Sequence, residues 1–159
     1  MTVTPTIKPH ITPKSFRYHT SVGRLEGRSA ELHAEGKPTL RVSSPPEFGG
    51  TANVWTPEDL FVASVEVCLM LTFAGIAAKR GLTFAEYESH AEGILEWQQG
   101  SYRFTRVVVS PTIRFFDEQS VIAGGEILSR AHDTCLVARS LSCEVVVEPS
   151  LLLEGSALP

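Results

Sequence analysis

Cysteine is scarce in this chain, which has Cys68, Cys135 and Cys143 among 159 residues. Three is too few, and an odd number, for the disulfide framework of a small secreted domain. The expectation is a reduced, cytoplasmic chain in which any disulfide is transient and catalytic. Excess positive charge is absent too, the formal net charge being −4. No nucleic-acid partner is expected, because such binders need a basic face to neutralise phosphates. His10, His19, His33, His90 and His132 show no metal-ligand spacing such as H-x-x-x-H, so no metal is expected. There is no G-x-G-x-x-G, P-loop or G-x-S-x-G, which leaves nucleotide, phosphate and serine-hydrolase chemistry unsupported. The longest apolar run, over residues 60–78, is broken by Glu66 and diluted by Ser64 and Thr72. It reads as a buried helix rather than a membrane span. Residues 1–14 lack the apolar stretch of a secretory leader. With Pro5, Pro9 and Pro13 they read as an extended tail. Residues 15–159 then make a single domain with enough apolar material for one core.

What is present is alternation, interrupted by two helical stretches. Residues 16–22 alternate apolar-leaning Phe16, Tyr18, Thr20 and Val22 with Arg17, His19 and Ser21, a strand pattern. A turn at residues 23–27, a strand at 29–33, a turn at 35–37 and a strand at 39–43 follow. Pro45, Pro46, Gly49 and Gly50 mark a loop. Thr56-Pro57-Glu58-Asp59 reads as a helix start with a capping box and proline at the first helical position. That helix runs to about Arg80, with Gly81 as its stop. Residues 85–98 and 103–116 alternate around a turn at Gln99-Gly100-Ser101, a long hairpin in which Arg103, Arg106 and Arg114 can face the glutamates of the first strand. Residues 118–141 return to helical spacing, with Val121, Ile122, Leu128, Ala131, Cys135 and Leu136 on one stripe. The Gly124-Gly125 pair either weakens that helix or lets another backbone approach. Residues 143–148 form a last strand. The order βββ–α–ββ–α–β is an α+β fold with mostly antiparallel sheets around two central helices.

Taken alone, Cys68 and Cys135 are small hydrophobes in two core helices, and Cys143 is structural. A reactive cysteine needs access and a partner that lowers its pKa. The first helix offers Cys68 no adjacent cation, so an arginine from another segment is the simplest source. Two cysteines on packed helices can meet, but the spacing does not require it. Glu58 complements the helix dipole in the first turn, while Glu66 points around the helix from Cys68, toward solvent or a partner cation.

The motifs give these residues a context. Thr56-Pro57-Glu58-Asp59-Leu60-Phe61-Val62-Ala63, with Cys68 ten residues after Glu58, resembles the N-P-E-x-L-x-A-A…C signature of OsmC/Ohr proteins. Ala131-His132-Asp133-Thr134-Cys135 resembles their Ala-His-x-x-Cys motif, and the element order matches as well. The resemblance implies an intertwined homodimer with two active sites at its interface and no bound cofactor. It implies Cys68 as peroxidatic nucleophile, Cys135 as resolving thiol, and Glu58 plus an arginine completing the site. Gly23-Arg24-Leu25-Glu26-Gly27 is similar to the family's Gly-Arg-x-Gly turn, which selects Arg24, although Arg28 fits the distance to Gly49-Gly50 better if there is no insertion. This chain departs from the pattern in carrying Thr56 for the usual asparagine, Leu136 for the usual proline after the second cysteine, and an extra residue in the arginine turn.

The activity so implied is reduction of organic hydroperoxides, and less well of hydrogen peroxide, through a Cys68 sulfenic acid resolved by Cys135. An external dithiol regenerates the thiols. Arg24 stabilises the thiolate and Glu58 holds Arg24, while Phe61, Val65 and Leu71 supply an apolar wall. Helix geometry adds a condition. Ten helical residues span about 15 Å, so Glu58 and Cys68 of one chain cannot easily touch, and a shared site draws Glu58 from a second copy. Two alternatives stand beside this reading: a dimer of the same fold that binds small molecules or serves in stress without peroxidase activity, and a purely structural interaction module.

Overall fold

The computed structural model describes residues 14–156. The expected tail, apart from Lys14, lies outside the described residues. The first three strands are β1 (Ser21–Arg24), β2 (Ser29–His33) and β3 (Leu40–Ser43), joined antiparallel in the order β1-β2-β3. The strand expected from residue 16 begins at Ser21. The reason is length: Ser21 already pairs with His33, the last residue of β2, and nothing remains for residues 16–20 to bond. Phe16 and Tyr18 are therefore exposed. After β3 the loop tightens into a 3-10 turn, Pro46–Phe48. Gly50 is required there, because a Cβ on it would lie 1.5 Å from the Ser44 carbonyl oxygen.

The central helix α1 (Pro57–Arg80) starts and stops where its signals stand. Thr56 accepts from the Asp59 amide at 3.1 Å, and the Asp59 carboxylate accepts from the Thr56 amide at 2.9 Å. Gly81, at φ 68°, ends the helix in the left-handed conformation that glycine adopts without strain. The hairpin β4 (Glu86–Gln98) and β5 (Ser101–Phe115) follows, turned by Gln99 and Gly100, both at positive φ. Its register sets Glu86 opposite Arg114, whose Nε lies 3.2 Å from the carboxylate. Arg103 stands opposite Glu96, whereas Arg106 turns away from β4 and pairs with Glu144 at 2.8 Å.

The second helix, α2, covers Glu118–Thr134, shorter than the expected 118–141. The stripe continues in sequence through Cys135 and Leu136, but the backbone does not follow it. The Thr134 hydroxyl donates to the Arg130 carbonyl at 2.7 Å, the Cys135 amide turns back to the His132 carbonyl at 3.3 Å, and Cys135 itself is extended. Side-chain bonding of this kind competes with the helical ladder. Ile122 and Leu136, expected on the buried stripe, are 70% and 77% exposed. The stripe is instead completed by Gly124 and Ile127.

The last strand is two short ones, β6 (Glu144–Val147) and β7 (Ser150–Leu153), both parallel to β5. The α2 crossover brings the chain back in the direction of β5, so this sheet is mixed. The buried apolar core is drawn from α1 (Val65, Leu69, Phe73, Ala77), from β5 (Val107, Val109, Ile113, Phe115), and from α2 and its cap. Among the described residues no fully buried apolar residue precedes Val65, although Phe61 and Val62 pack against the edge of the core. In a single chain the β1–β3 sheet is thus held by its own ladders and by a bridge from Val42 to Trp55 rather than by the core. The helix α1 is long and apolar enough by composition to cross a membrane. One side of it packs against α2 and β4 and is tied to the hairpin by Glu66 and Ser89, while Val67 and Leu71 on another side stay exposed in the single chain.

A candidate redox site where two helices meet

Packing of α1 on α2 brings Cys68 and the cap of α2 together, and the Cys68 and Cys135 thiols are near enough to shift each other's acidity. Both are free thiols. Cys135 is fully buried, whereas Cys68 is partly open to solvent. Their acidities diverge. Burial opposes ionisation of Cys68, but the Val137 amide, the Cys135 thiol, the Thr72 hydroxyl and the Leu136 amide outweigh it and hold its pKa below the ordinary cysteine value. Burial pushes Cys135 up, and the neighbouring Cys68 pushes it further. A thiolate is the nucleophilic form, and of the two thiols it is the accessible one whose pKa is lowered and the buried one whose pKa is raised. The third cysteine, Cys143, stands one residue before β6, half-buried at the edge of the core, and takes no part in this contact.

Glu58 and Arg24 lie elsewhere. Glu58 faces a cleft of about 1160 Å³ between the 3-10 turn, the start of α1 and the β4–β5 hairpin. Its walls include Phe48, Trp55, Glu66, Tyr102 and Phe104, with no lysine, arginine or histidine and neither helix cysteine. One carboxylate oxygen of Glu58 is buried without a hydrogen-bond partner among the described residues. Arg24 ends β1, exposed, with Ala30 as its backbone partner. Arg28 packs on Gly49, where a built Cβ would lie 3.8 Å from its Nε. No cation is among the groups that shift Cys68. Of the four residues singled out in the sequence, one chain brings Cys68 and Cys135 together and leaves Glu58 and Arg24 apart from them.

Two side chains take other positions than the sequence suggested. Glu66 accepts from the Ser89 hydroxyl instead of facing solvent or a cation. Of the apolar wall, Val65 is committed to the core and Phe61 is stacked on Phe104 at 4.4 Å, leaving Leu71 on the open side. The contribution of Thr72 was missed, although its position one helical turn after Cys68 is plain in the sequence. The amides of Leu136 and Val137 had no such signal, since a continuous α2 would have spent them inside the helix. Among the described residues no group of three or more His, Cys, Asp or Glu side chains could hold a metal ion.

Comparison with known proteins matches residues 50–150 to the model of the OsmC-like protein family. An OsmC-like protein of unknown function from Vibrio cholerae is 25% identical, covering 85% of this chain and 99% of its own, with a TM-score of 0.78. A Legionella pneumophila protein described as an organic hydroperoxide resistance protein OsmC is 17% identical, covers 89% and 98%, and has a TM-score of 0.68. In sequence, the uncharacterised protein YmaD of Bacillus subtilis is 21% identical over 119 residues, 72% of this chain and 79% of its own.

Proposed function

The chain belongs to the OsmC-like protein family, and on that premise we propose that it is a thiol-dependent peroxidase of organic hydroperoxides, with Cys68 as nucleophile and Cys135 as resolving thiol. The observation that carries this reading is the packing of α1 on α2, which sets two thiols near each other with their acidities driven in opposite directions. The Cys68 thiolate attacks one peroxide oxygen: an S–O bond forms, the O–O bond breaks, and the departing alkoxide takes a proton to leave as alcohol. The Cys135 thiol then attacks the Cys68 sulfur, an S–S bond forms and water departs. An external dithiol reduces that disulfide by exchange. Leu71 and the exposed Leu136 flank the pair and suit an organic substituent better than hydrogen peroxide. The name of the Legionella protein points the same way. Reduced thiols suit a reducing, cytoplasmic compartment.

A homodimer completes the reading. The helix α1 is apolar on all sides, yet Val67 and Leu71 are 50% and 59% exposed, and a helix of that kind is stable only when covered on both faces. The β1–β3 sheet lacks a core of its own in one chain, and strands so placed need a packed face. A second copy supplies both. It also offers Glu58, whose buried oxygen has no partner among the described residues, and Arg24 a route to the neighbouring Cys68. A second reading, small-molecule binding without peroxide chemistry, is favoured by the size of the cleft at Glu58 and its separation from the cysteines.

The deciding experiment treats the reduced protein with an alkyl hydroperoxide and records intact and peptide masses. The expected product has lost two hydrogens and yields a Cys68–Cys135 peptide, absent from Cys68→Ser. Unchanged thiols, with no peroxide consumed in the presence of any dithiol, would sink the proposal.

A further inference from the structure

Resolution by Cys135 requires its buried sulfur to reach Cys68 on the neighbouring helix. Yet α2 stops at Thr134, so the helical ladder does not carry Cys135 there. Main-chain bonds on both sides set its place. Its amide donates to the His132 carbonyl at 3.3 Å, and its carbonyl accepts from the Arg139 amide at 3.1 Å. His132 is itself anchored from outside the helix. Its ring Nε2 lies 3.1 Å from the carbonyl of Val145, on β6. That strand ends the sheet order β4-β5-β6. The Glu148 amide donates to Val109 of β5 at 2.9 Å, and main-chain groups alternate sides along a strand. The Val145 carbonyl, three residues earlier, therefore faces away from β5. An edge strand has no neighbouring strand for such a carbonyl, and the ring of His132 takes it. A carbonyl only accepts, so the neutral ring carries its proton on Nε2.

We propose that His132 is a positioning residue for the resolving step: its ring clasps the free edge of β6 while its main-chain carbonyl holds the Cys135 amide. One residue thus fixes the second thiol against the sheet. β6 is in register with β5, and Val145 stands opposite Val107, which is fully buried. The contact runs from the core strand through Val145 and His132 to Cys135. This deepens, and rests on, the resolving role given to Cys135. The clasp concerns that thiol alone and leaves the first attack, by Cys68 on peroxide, unchanged.

The test follows a single turnover of the reduced protein with an alkyl hydroperoxide. Peroxide loss reads the first step, and peptide masses read dimedone-trapped Cys68 and the closed disulfide. The variants are His132→Leu, which has no donor, His132→Gln, whose amide nitrogen reaches as far as Nε2, and His132→Asn, whose amide reaches only as far as Nδ1. Each is checked for folding by its melting curve. His132→Leu and His132→Asn are expected to slow closure about two- to tenfold, the range of one hydrogen bond, with peroxide lost at the wild-type rate and more Cys68 trapped. His132→Gln restores closure. If His132→Leu does not fold, the contrast of His132→Asn with His132→Gln decides. Wild-type closure in folded His132→Leu, or equal slowing of both steps, would overturn the proposal. So would a neutral His132 protonated on Nδ1 in the wild type, read by NMR of the ring nitrogens. Diamide separates this proposal from the peroxidase reading. The Cys68 thiolate adds to its N=N bond, and the Cys135 thiol displaces the hydrazine to leave the same disulfide. A chain that consumes no peroxide but shows the same order of closure rates with diamide refutes the peroxidase reading and keeps the clasp.

Discussion

The ring of Phe115 occupies the space where residue 124 would carry a side chain: a Cβ built on Gly124 would lie 2.1 Å from the ring Cζ. The first glycine of the pair therefore admits an aromatic ring, where the sequence suggested a backbone. This contact seats α2 on the end of β5, and the seating carries the α2 cap to the face of α1 that bears Cys68. A glycine in a helix costs about 1 kcal/mol relative to alanine, and here close packing offsets it.

Gly124→Ala should destabilise the fold by about 1–3 kcal/mol, the usual penalty of overpacking. Gly125 provides the control, since its Cβ would meet only the tip of Leu151 at 3.3 Å. Gly125→Ala gains helix propensity and should be neutral or stabilising. Urea denaturation of both variants checks the contrast, and equal losses would show that the Phe115 contact does not matter.

Leu71→Glu should separate the copies. The residue is 59% exposed in one chain, on the open face of α1 beside Val67. A carboxylate there costs little in a monomer and much in a covered interface. Sedimentation should show the wild type as a dimer and the variant as a monomer; a monomeric wild type at micromolar concentration would remove the interface.

Cys135→Ser should stop the reaction at the first oxidation. Cys68 then keeps its sulfenic acid, open to trapping by dimedone, and passes to sulfinic acid with excess peroxide. Mass spectrometry of the Cys68 peptide reads both. Turnover with a dithiol equal to that of the wild type would show that Cys135 does not resolve.

Tyr87 should ionise only near pH 12. Burial pushes its hydroxyl up to about 12, and the Glu66 carboxylate adds to the effect. Because the folded pKa lies above the ordinary tyrosine value of 10, the unfolded chain loses this proton first. Stability from this group is full below pH 10 and falls as pH rises from 10 toward 12. Ultraviolet titration should show one late tyrosine, missing in Tyr87→Phe and earlier in Glu66→Gln. Three tyrosines titrating together would contradict the burial.

Local rules were the legible part of this fold. The capping box at Thr56 and the stop at Gly81 bound α1 as expected, because both act through neighbours in the chain. The β4–β5 hairpin was equally plain, since alternation over that length admits one register. The ends of elements that depend on distant partners were not. β1 begins late because β2 is short, and α2 ends early although its apolar stripe runs on. β7 was missed because four partly buried residues in a row, Ser150–Leu153, show no alternation.

The sequence by itself determined which residues could do chemistry: two cysteines in helical segments, a glutamate in a first turn, arginines in an exposed hairpin. It also carried the motifs that tie them to one family. Whether the cysteines touch was a question of how α1 and α2 pack, which no spacing along the chain contains. The tertiary structure decided that, and with it which thiol is driven toward its charged form. The reason is that acidity depends on what surrounds the sulfur in space, here Thr72, Cys135 and two amides freed by the end of a helix.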